Sequence, residues 1–185
     1  MELIRGISGI RGIVNQTLTN SVLTSHTLAF SKLQIEGSIL LARDSRSHGE
    51  EFINTSAEAL KNSGREVLNY GIIPTPTAQF LVEKRGMAGG IVITASHNPT
   101  EWNGLKFIDS DGCFLDGGKN KRLFEFADAD VHPPFKSGTI TNIVDGCAPH
   151  IIHTLKLSVI DTKAIASRNF TIVVDAVNGA ASSAL

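Results

Sequence analysis

Gly89-Gly90-Ile91-Val92-Ile93-Thr94-Ala95-Ser96-His97-Asn98-Pro99 is the stretch on which the fold turns. Ile91 to Ile93 is short, apolar and β-branched, the pattern of a buried strand rather than a helix. It ends in small and polar residues, and Pro99 fixes the stop, because proline cannot continue a ladder and biases Asn98 toward extended backbone. Ser96 and His97 are therefore expected in a stiff loop just past the carboxyl end of a strand. In open α/β sheets that is where ligands and chemistry collect. Adjacent residues in an extended chain point to opposite sides, so the two are not expected to meet as nucleophile and base. From these residues alone, Ser96 is either a catalytic serine or part of an ordinary polar loop.

The segments around this stretch alternate between strand and helix. Upstream, Ser38 to Ala42 reads as a strand, Glu50 to Ser63 as an amphipathic helix stopped by Gly64, and Glu66 to Gly71 as a second strand. Pro74-Thr75-Pro76-Thr77 opens a further helix through Phe80, Leu81 and Val82. An earlier helix, capped at Thr19 or Asn20, runs through Leu23, Leu28 and Leu33 to a stop at Gly37. This rhythm implies an α/β fold: a three-layer α/β/α domain on a mostly parallel, mixed sheet. The strand at 38–42 ends in Arg43-Asp44-Ser45-Arg46, read as ion pairs bracing a loop beside a site. At the amino terminus, Gly6, Gly9 and Gly12 interrupt branched apolar residues, a sign of a bulge or a close backbone approach. Arg11 among them is either a cation over ligand-accessible backbone or a solvent-facing residue on a bent edge strand.

Downstream, Thr100 to Gly104 reads as a turn-rich loop. Leu105 to Ile108 and Cys113 to Leu115 flank a hairpin turn at Asp109-Ser110-Asp111-Gly112. A hairpin-like return can bring Lys106 back over Ser96. A helix is expected over Lys119 to Phe126, ending in a solvated Asp128-Ala129-Asp130. Residues 128–146 lack periodicity and contain Pro133-Pro134, which places the first domain at 1–135. Residues 136–185 are then a linking helix over Ala148 to Ile160 and a buried strand, Asn169 to Asp175, opening a truncated second α/β domain. His150 and His153 share a helix face but lack the further ligands of a metal site.

Composition narrows the classes. An apolar content of 42% is ordinary for a globular chain, and a net charge of −1 offers nothing to nucleic acid or an acidic membrane. Two cysteines with no C-x-x-C pair make neither a disulfide framework nor a metal knuckle, and no apolar run approaches a membrane span. The expected compartment is cytoplasmic. The G-x-S-x-G elbow of serine esterases is absent.

Thr94-Ala95-Ser96-His97-Asn98-Pro99 closely resembles the active-site loop of the α-D-phosphohexomutases, the family of phosphoglucomutase, phosphomannomutase and phosphoglucosamine mutase. Ser8-Gly9-Ile10-Arg11-Gly12 is similar to the family's amino-terminal motif, and Ala42-Arg43-Asp44-Ser45-Arg46 to its G-R-D-T/S-R, with alanine for the usual glycine. Gly71-Ile72-Ile73-Pro74-Thr75-Pro76 resembles its G-x-x-P-T-P, and Asn103-Gly104-Leu105-Lys106 its N-G-x-K. Val174 to Gly179 resembles the opening of its second domain.

The resemblance implies reversible phosphoryl transfer between the 1- and 6-positions of a hexose phosphate, through a phosphoserine and a bisphosphate intermediate. Ser96 would be the phosphoserine and, through its phosphoryl group, a ligand of Mg²⁺. Lys106 would be the acid/base, and Arg11 and His97 electrostatic and positioning residues. Arg11 and the metal would lower the pKa of Lys106 and the phosphoserine dianion would raise it. The family's D-G-D-A-D-R metal loop and its later sugar-specificity and phosphate-anchoring segments are not in this sequence, so the chain alone is expected to have no mutase turnover. The alternative is a non-catalytic module of the same fold that binds a sugar phosphate or a protein.

Overall fold

The computed structural model describes residues 2–130 and 133–184. Val131 and His132, inside the stretch read as the first domain's exit, lie outside the described residues.

The alternating strand patterns fold into one sheet with helices on both faces. In chain order the strands are β1 (Ile4–Gly6), β2 (Gly9–Ile13), β3 (Ile39–Arg43), β4 (Glu66–Ile72), β5 (Gly89–Ile93), β6 (Trp102–Asp109) and β7 (Thr139–Asn142). The helices are α1 (Asn20–Leu33), α2 (Gly49–Asn62), α3 (Thr75–Lys84), α4 (Gly117–Asp128), α5 (Ala148–Leu155) and α6 (Thr162–Ala166). The sheet order is β1-β2-β6-β5-β3-β4-β7. The run from β5 through β3 and β4 to β7 is parallel, and β1, β2, β6 and β5 pair antiparallel, so the expected mixed sheet is present.

Alternation along the central strands sorts the core into two layers. Ile39 and Leu41 of β3, Ile91 and Ile93 of β5, and Leu105 and Phe107 of β6 pack with α1, α2 and α4. Leu40 and Ala42, Val92, and Ile108 face the other way, onto α3. β3 and β5 are buried on both faces, as parallel strands between helix layers must be. Thr19 caps α1 by accepting the Val22 N–H, and a proline occupies the first turn of α3, both as the sequence implies.

Four expectations change. Residues 128–146 are not featureless, because β7 lies there and extends the sheet alongside β4. Its burial is slight, which is why an edge strand of Thr139-Ile140-Thr141-Asn142 shows no apolar pattern. β6 begins at Trp102, inside the expected loop, whereas Cys113 to Leu115 contributes a single bridge, Phe114 to Ile108. The linking helix stops at Leu155. Residues 169–175 are not a buried strand: Phe170, Ile172 and Val173 are 66%, 73% and 92% exposed. Their apolar pattern has no neighbouring strand to accept its ladder among the described residues.

Candidate active site

Two neighbouring parallel strands build the site. β3 and β5 are paired through Arg43 and Ile93, so the loops leaving their carboxyl ends emerge side by side, and Asp44 N–H donates to Ile93 O at 3.0 Å. Asp44 then gathers the two loops. Its Oδ2 accepts from Thr94 Oγ1 at 2.6 Å and from Arg46 Nε at 3.2 Å, and its Oδ1 accepts from Arg46 N–H at 3.0 Å. Because the Thr94 hydroxyl gives its proton to the carboxylate, its lone pair is free to accept the Ser96 N–H, at 3.0 Å.

That bond accompanies an uncommon backbone. Ser96 has φ +58°, the left-handed region that side chains other than glycine rarely adopt. The expectation that Ser96 and His97 diverge assumed extended chain. With Ser96 left-handed, its Oγ instead lies 3.4 Å from His97 Nδ1, a long contact. Both residues are exposed. Among the described residues no carboxylate hydrogen-bonds His97, so the pair lacks the third group of a hydrolytic triad.

Arg11 reaches this loop from the other side of the sheet. β2 lies between β1 and β6, so Arg11 is half-buried on an interior strand rather than on an edge. Its Nη1 donates to Asn98 Oδ1 at 3.2 Å and its Nη2 to Ser8 Oγ at 3.3 Å. Two glycines permit the approach. A Cβ on Gly9, at φ +103°, would collide with the Leu105 carbonyl oxygen, and one on Gly104 would collide with Ile10 O and stand 3.1 Å from Arg11 Cγ. The close backbone approach foreseen at the amino terminus is therefore real, and N-G-x-K needs its glycine so that Arg11 can lie across β6.

Lys106 stands on β6 opposite Val92 of β5, two residues from Gly104, whose carbonyl accepts the Thr94 N–H at 3.0 Å. The lysine is half-buried, with Nζ 5.5 Å from the centre of the Phe114 ring. Burial lowers its pKa below the ordinary lysine value, the Arg11 charge lowers it further, and the Asp44 carboxylate opposes them. The structure thus brings Arg11, Ser96 and His97 together around one loop and puts Lys106 in the electrostatic reach of Arg11 and Asp44.

Arg46 is the residue that sequence reasoning underweighted. Its guanidinium donates to Pro99 O (2.7 Å), Trp102 O (3.1 Å), Ser96 O (3.0 Å) and Asn98 O (2.6 Å). The motif had suggested ion pairs bracing a loop; the brace is one arginine on four carbonyls, with Asp44 orienting it. The other candidates resolve structurally. Asp128 is bonded by both Arg5 nitrogens, at 2.6 and 2.8 Å, and so is more than a solvated helix end. His150 and His153 flank Phe80 at 4.7 and 4.9 Å between ring centroids, and His150 Nδ1 is 3.0 Å from Thr77 Oγ1.

The donor set does not fit a resident metal. Among the described residues no three His, Cys, Asp or Glu side chains are grouped for one, and both oxygens of Asp44 are engaged. Magnesium takes about six oxygen ligands in octahedral geometry, and Ser96 Oγ alone does not make such a set.

Residues 2–131 match the family described as phosphoglucomutase/phosphomannomutase, alpha/beta/alpha domain I. The chain belongs to this family, the α-D-phosphohexomutases. A phosphoglucosamine mutase of Prochlorococcus marinus (strain AS9601) is 36% identical over 140 residues, covering 74% of this chain and 31% of that protein. A phosphoglucosamine/phosphogalactosamine mutase of Sulfurisphaera tokodaii is 32% identical over 190 residues, covering 96% and 40%. A solved phosphoglucomutase/phosphomannomutase family protein from Burkholderia thailandensis superposes with a TM-score of 0.66 at 26% identity, over 80% of this chain and 35% of its own. The chain therefore spans 31–40% of these relatives' length. Among the described residues no helix is long and apolar enough to cross a membrane.

Proposed function

We propose that this chain carries the phosphoryl-bearing serine of a phosphohexomutase that moves phosphate between the 1- and 6-positions of a hexose phosphate. The observation that carries the reading is the left-handed Ser96, held with its hydroxyl exposed between Arg11, His97 and the Thr94–Asp44–Arg46 network. Phosphoryl transfer is catalysed chiefly by positioning and by neutralising spread negative charge, and the Arg11 cation bonded to a fixed loop suits that task.

In this reading the phosphoryl group leaves Ser96 Oγ as a sugar hydroxyl forms the new P–O bond, and the exposed serine oxygen takes up a proton from solvent. The hydroxyl proton passes to Lys106 in its neutral form, which burial and Arg11 favour. In the return step the bisphosphate gives its other phosphoryl group to Ser96, whose hydroxyl proton is released to solvent, and Lys106 gives its proton back to the departing sugar oxygen. Arg11 and His97 position the phosphoryl oxygens. A magnesium ion on the Ser96 phosphoryl group would need oxygen ligands that are not grouped for it among the described residues, so in this reading the chain by itself is inactive in turnover. The cytoplasm is the proposed compartment.

Phosphopeptide mass spectrometry of the protein isolated from its own cells tests the reading. Ser96 is expected to carry phosphate that is lost on adding a hexose monophosphate; a Ser96 that is never phosphorylated refutes it. Separately, conversion of glucose 1-phosphate by the purified chain above a Ser96→Ala control would refute the claim of inactivity.

A further inference from the structure

Arg46 has no capacity left for a ligand. Its five N–H donors serve Asp44 and four carbonyls of residues 96–102, and its side chain is 14% exposed. Whatever it contributes must pass through the loop backbone. Peptide groups are planar, and none in the described residues is cis, so a carbonyl turned toward Arg46 turns the following N–H away from it. Ser96 O and Pro99 O both point at the guanidinium, so the N–H groups of His97 and Thr100 point outward. Neither N–H has an acceptor among the described residues. The Ser96 and Asn98 amides, by contrast, are tied inward, to Thr94 Oγ1 and Ala95 O at 3.0 and 3.1 Å.

Backbone N–H groups turned outward beside a left-handed residue make a donor site for an anion. Ser96 Oγ lies at this one, with Arg11 bonded to Asn98 next to it. We propose that Arg46 is a positioning residue: by drawing the loop's carbonyls to one side it presents the His97 N–H to a phosphoryl oxygen at Ser96. This rests on the phosphohexomutase reading for the identity of the anion. Arg11 and Arg46 then divide the work, Arg11 facing the anion and Arg46 shaping the backbone behind it. Lysine could not replace Arg46, since a point charge with three donors cannot span four carbonyls and a carboxylate.

Nuclear magnetic resonance on the 185-residue chain tests the proposal, with amide exchange as the first readout. In Arg46→Lys the Ser96 and Asn98 amides should lose about tenfold or more of their protection, as expected for losing charge-assisted bonds. The Thr94 amide, bonded to Gly104 O in the sheet, should keep its protection. A merely structural arginine would lower protection throughout. The second readout is a titration with inorganic phosphate: the His97 amide signal should shift in the wild type and respond about tenfold more weakly in Arg46→Lys. Unchanged loop protection in Arg46→Lys overturns the proposal, as does a wild-type His97 amide that ignores phosphate. Arg46→Gln, which keeps two donors, is the second variant should lysine prevent folding. If both readouts behave as stated while Ser96 from cells is never phosphorylated, the clamp stands and the phosphohexomutase reading fails.

Discussion

Thr94→Val isolates the hinge of the serine loop. Valine matches threonine in shape, Thr94 is only 6% exposed, and the change removes a donor to Asp44 at 2.6 Å and an acceptor for the Ser96 N–H at 3.0 Å. A hydrogen bond to a charged group contributes about 1.5–3 kcal/mol and a neutral one about 0.5–1.5 kcal/mol. Water can reach the Ser96 N–H at the exposed loop, which discounts the second term. Asp44 keeps its two Arg46 donors, which limits the first. The expected net loss is about 2 kcal/mol, or roughly 4–8 °C in melting temperature for a chain of this size. The local effect should be larger than the global one. The left-handed conformation of Ser96 disfavours the loop by about 1–2 kcal/mol, and without Thr94 nothing on its own strand opposes relaxation to negative φ. Thermal denaturation gives the first quantity, and the Ser96 amide-to-α scalar coupling with its exchange rate gives the second. Thr94→Ser, which keeps the hydroxyl, should restore the loop geometry. A Thr94→Val chain with wild-type stability and an unmoved Ser96 would refute the reasoning.

The remaining predictions concern the sheet and three titrating side chains. Gly104→Ala drives a methyl into Ile10 O and against Arg11, so it should destabilise by about 1–3 kcal/mol and break the Arg11–Asn98 bond, seen as a shift of the Asn98 side-chain carbonyl carbon resonance. His26 is buried, with Nδ1–H donating to Val22 O at 2.8 Å and Nε2 unpartnered, and burial, with a smaller push from Arg5 against Asp128, lowers its pKa. Because the unfolded chain binds the proton first, stability should fall as pH drops through the ordinary imidazole range, roughly pH 7 to 5, and His26 should contribute no slope above it; His26→Asn should abolish the slope within that range in denaturant midpoints. Asp128, held low by its bond to Arg5, contributes stability that is lost only at lower pH, as the solution passes through the carboxylate range, so the two windows separate. Arg11→Gln should raise the pKa of Lys106, read from its side-chain carbon shifts on titration, and a downward move would overturn the electrostatic assignment. Stability of the wild type should rise with pH between the lowered Lys106 pKa and the ordinary lysine value, since there the unfolded chain alone keeps the proton.

What the sequence made legible follows from what local pattern can carry. β3, β5, α1 and α3 announce themselves through apolar period, caps and prolines, and the two strands among them position Ser96. The left-handed backbone at Ser96 was not readable, because no glycine or asparagine marks it; it arises from a hydroxyl two residues earlier and a carboxylate fifty residues away. β7 and residues 169–175 fail in opposite directions for one reason. Apolar pattern reports how much burial a segment seeks, whereas a strand exists only where a neighbour offers its ladder. Ile140 is the one strongly apolar residue of β7, yet β4 is there to pair with it, and Ile172 to Val174 have the stronger pattern and no such neighbour.

Arg46 shows most clearly why half of the site lay hidden. An arginine two residues after an aspartate reads as a local ion pair, and such a pair is present at 3.2 Å. Its four carbonyl contacts exist only because β3 and β5 are adjacent and parallel, a register that no local signal in either loop encodes. The motif order made the serine loop and the G-R-D-type loop parts of one family pattern, and the topology explains why they travel together: one loop holds the Ser96 hydroxyl and the other supplies the guanidinium that binds its carbonyls. Separating them by a one-residue slip of β3 against β5 would put Leu41 where Ala42 packs and move Asp44 off Ile93 O. The apolar faces of these two strands thus fix the geometry of a polar site that neither face touches.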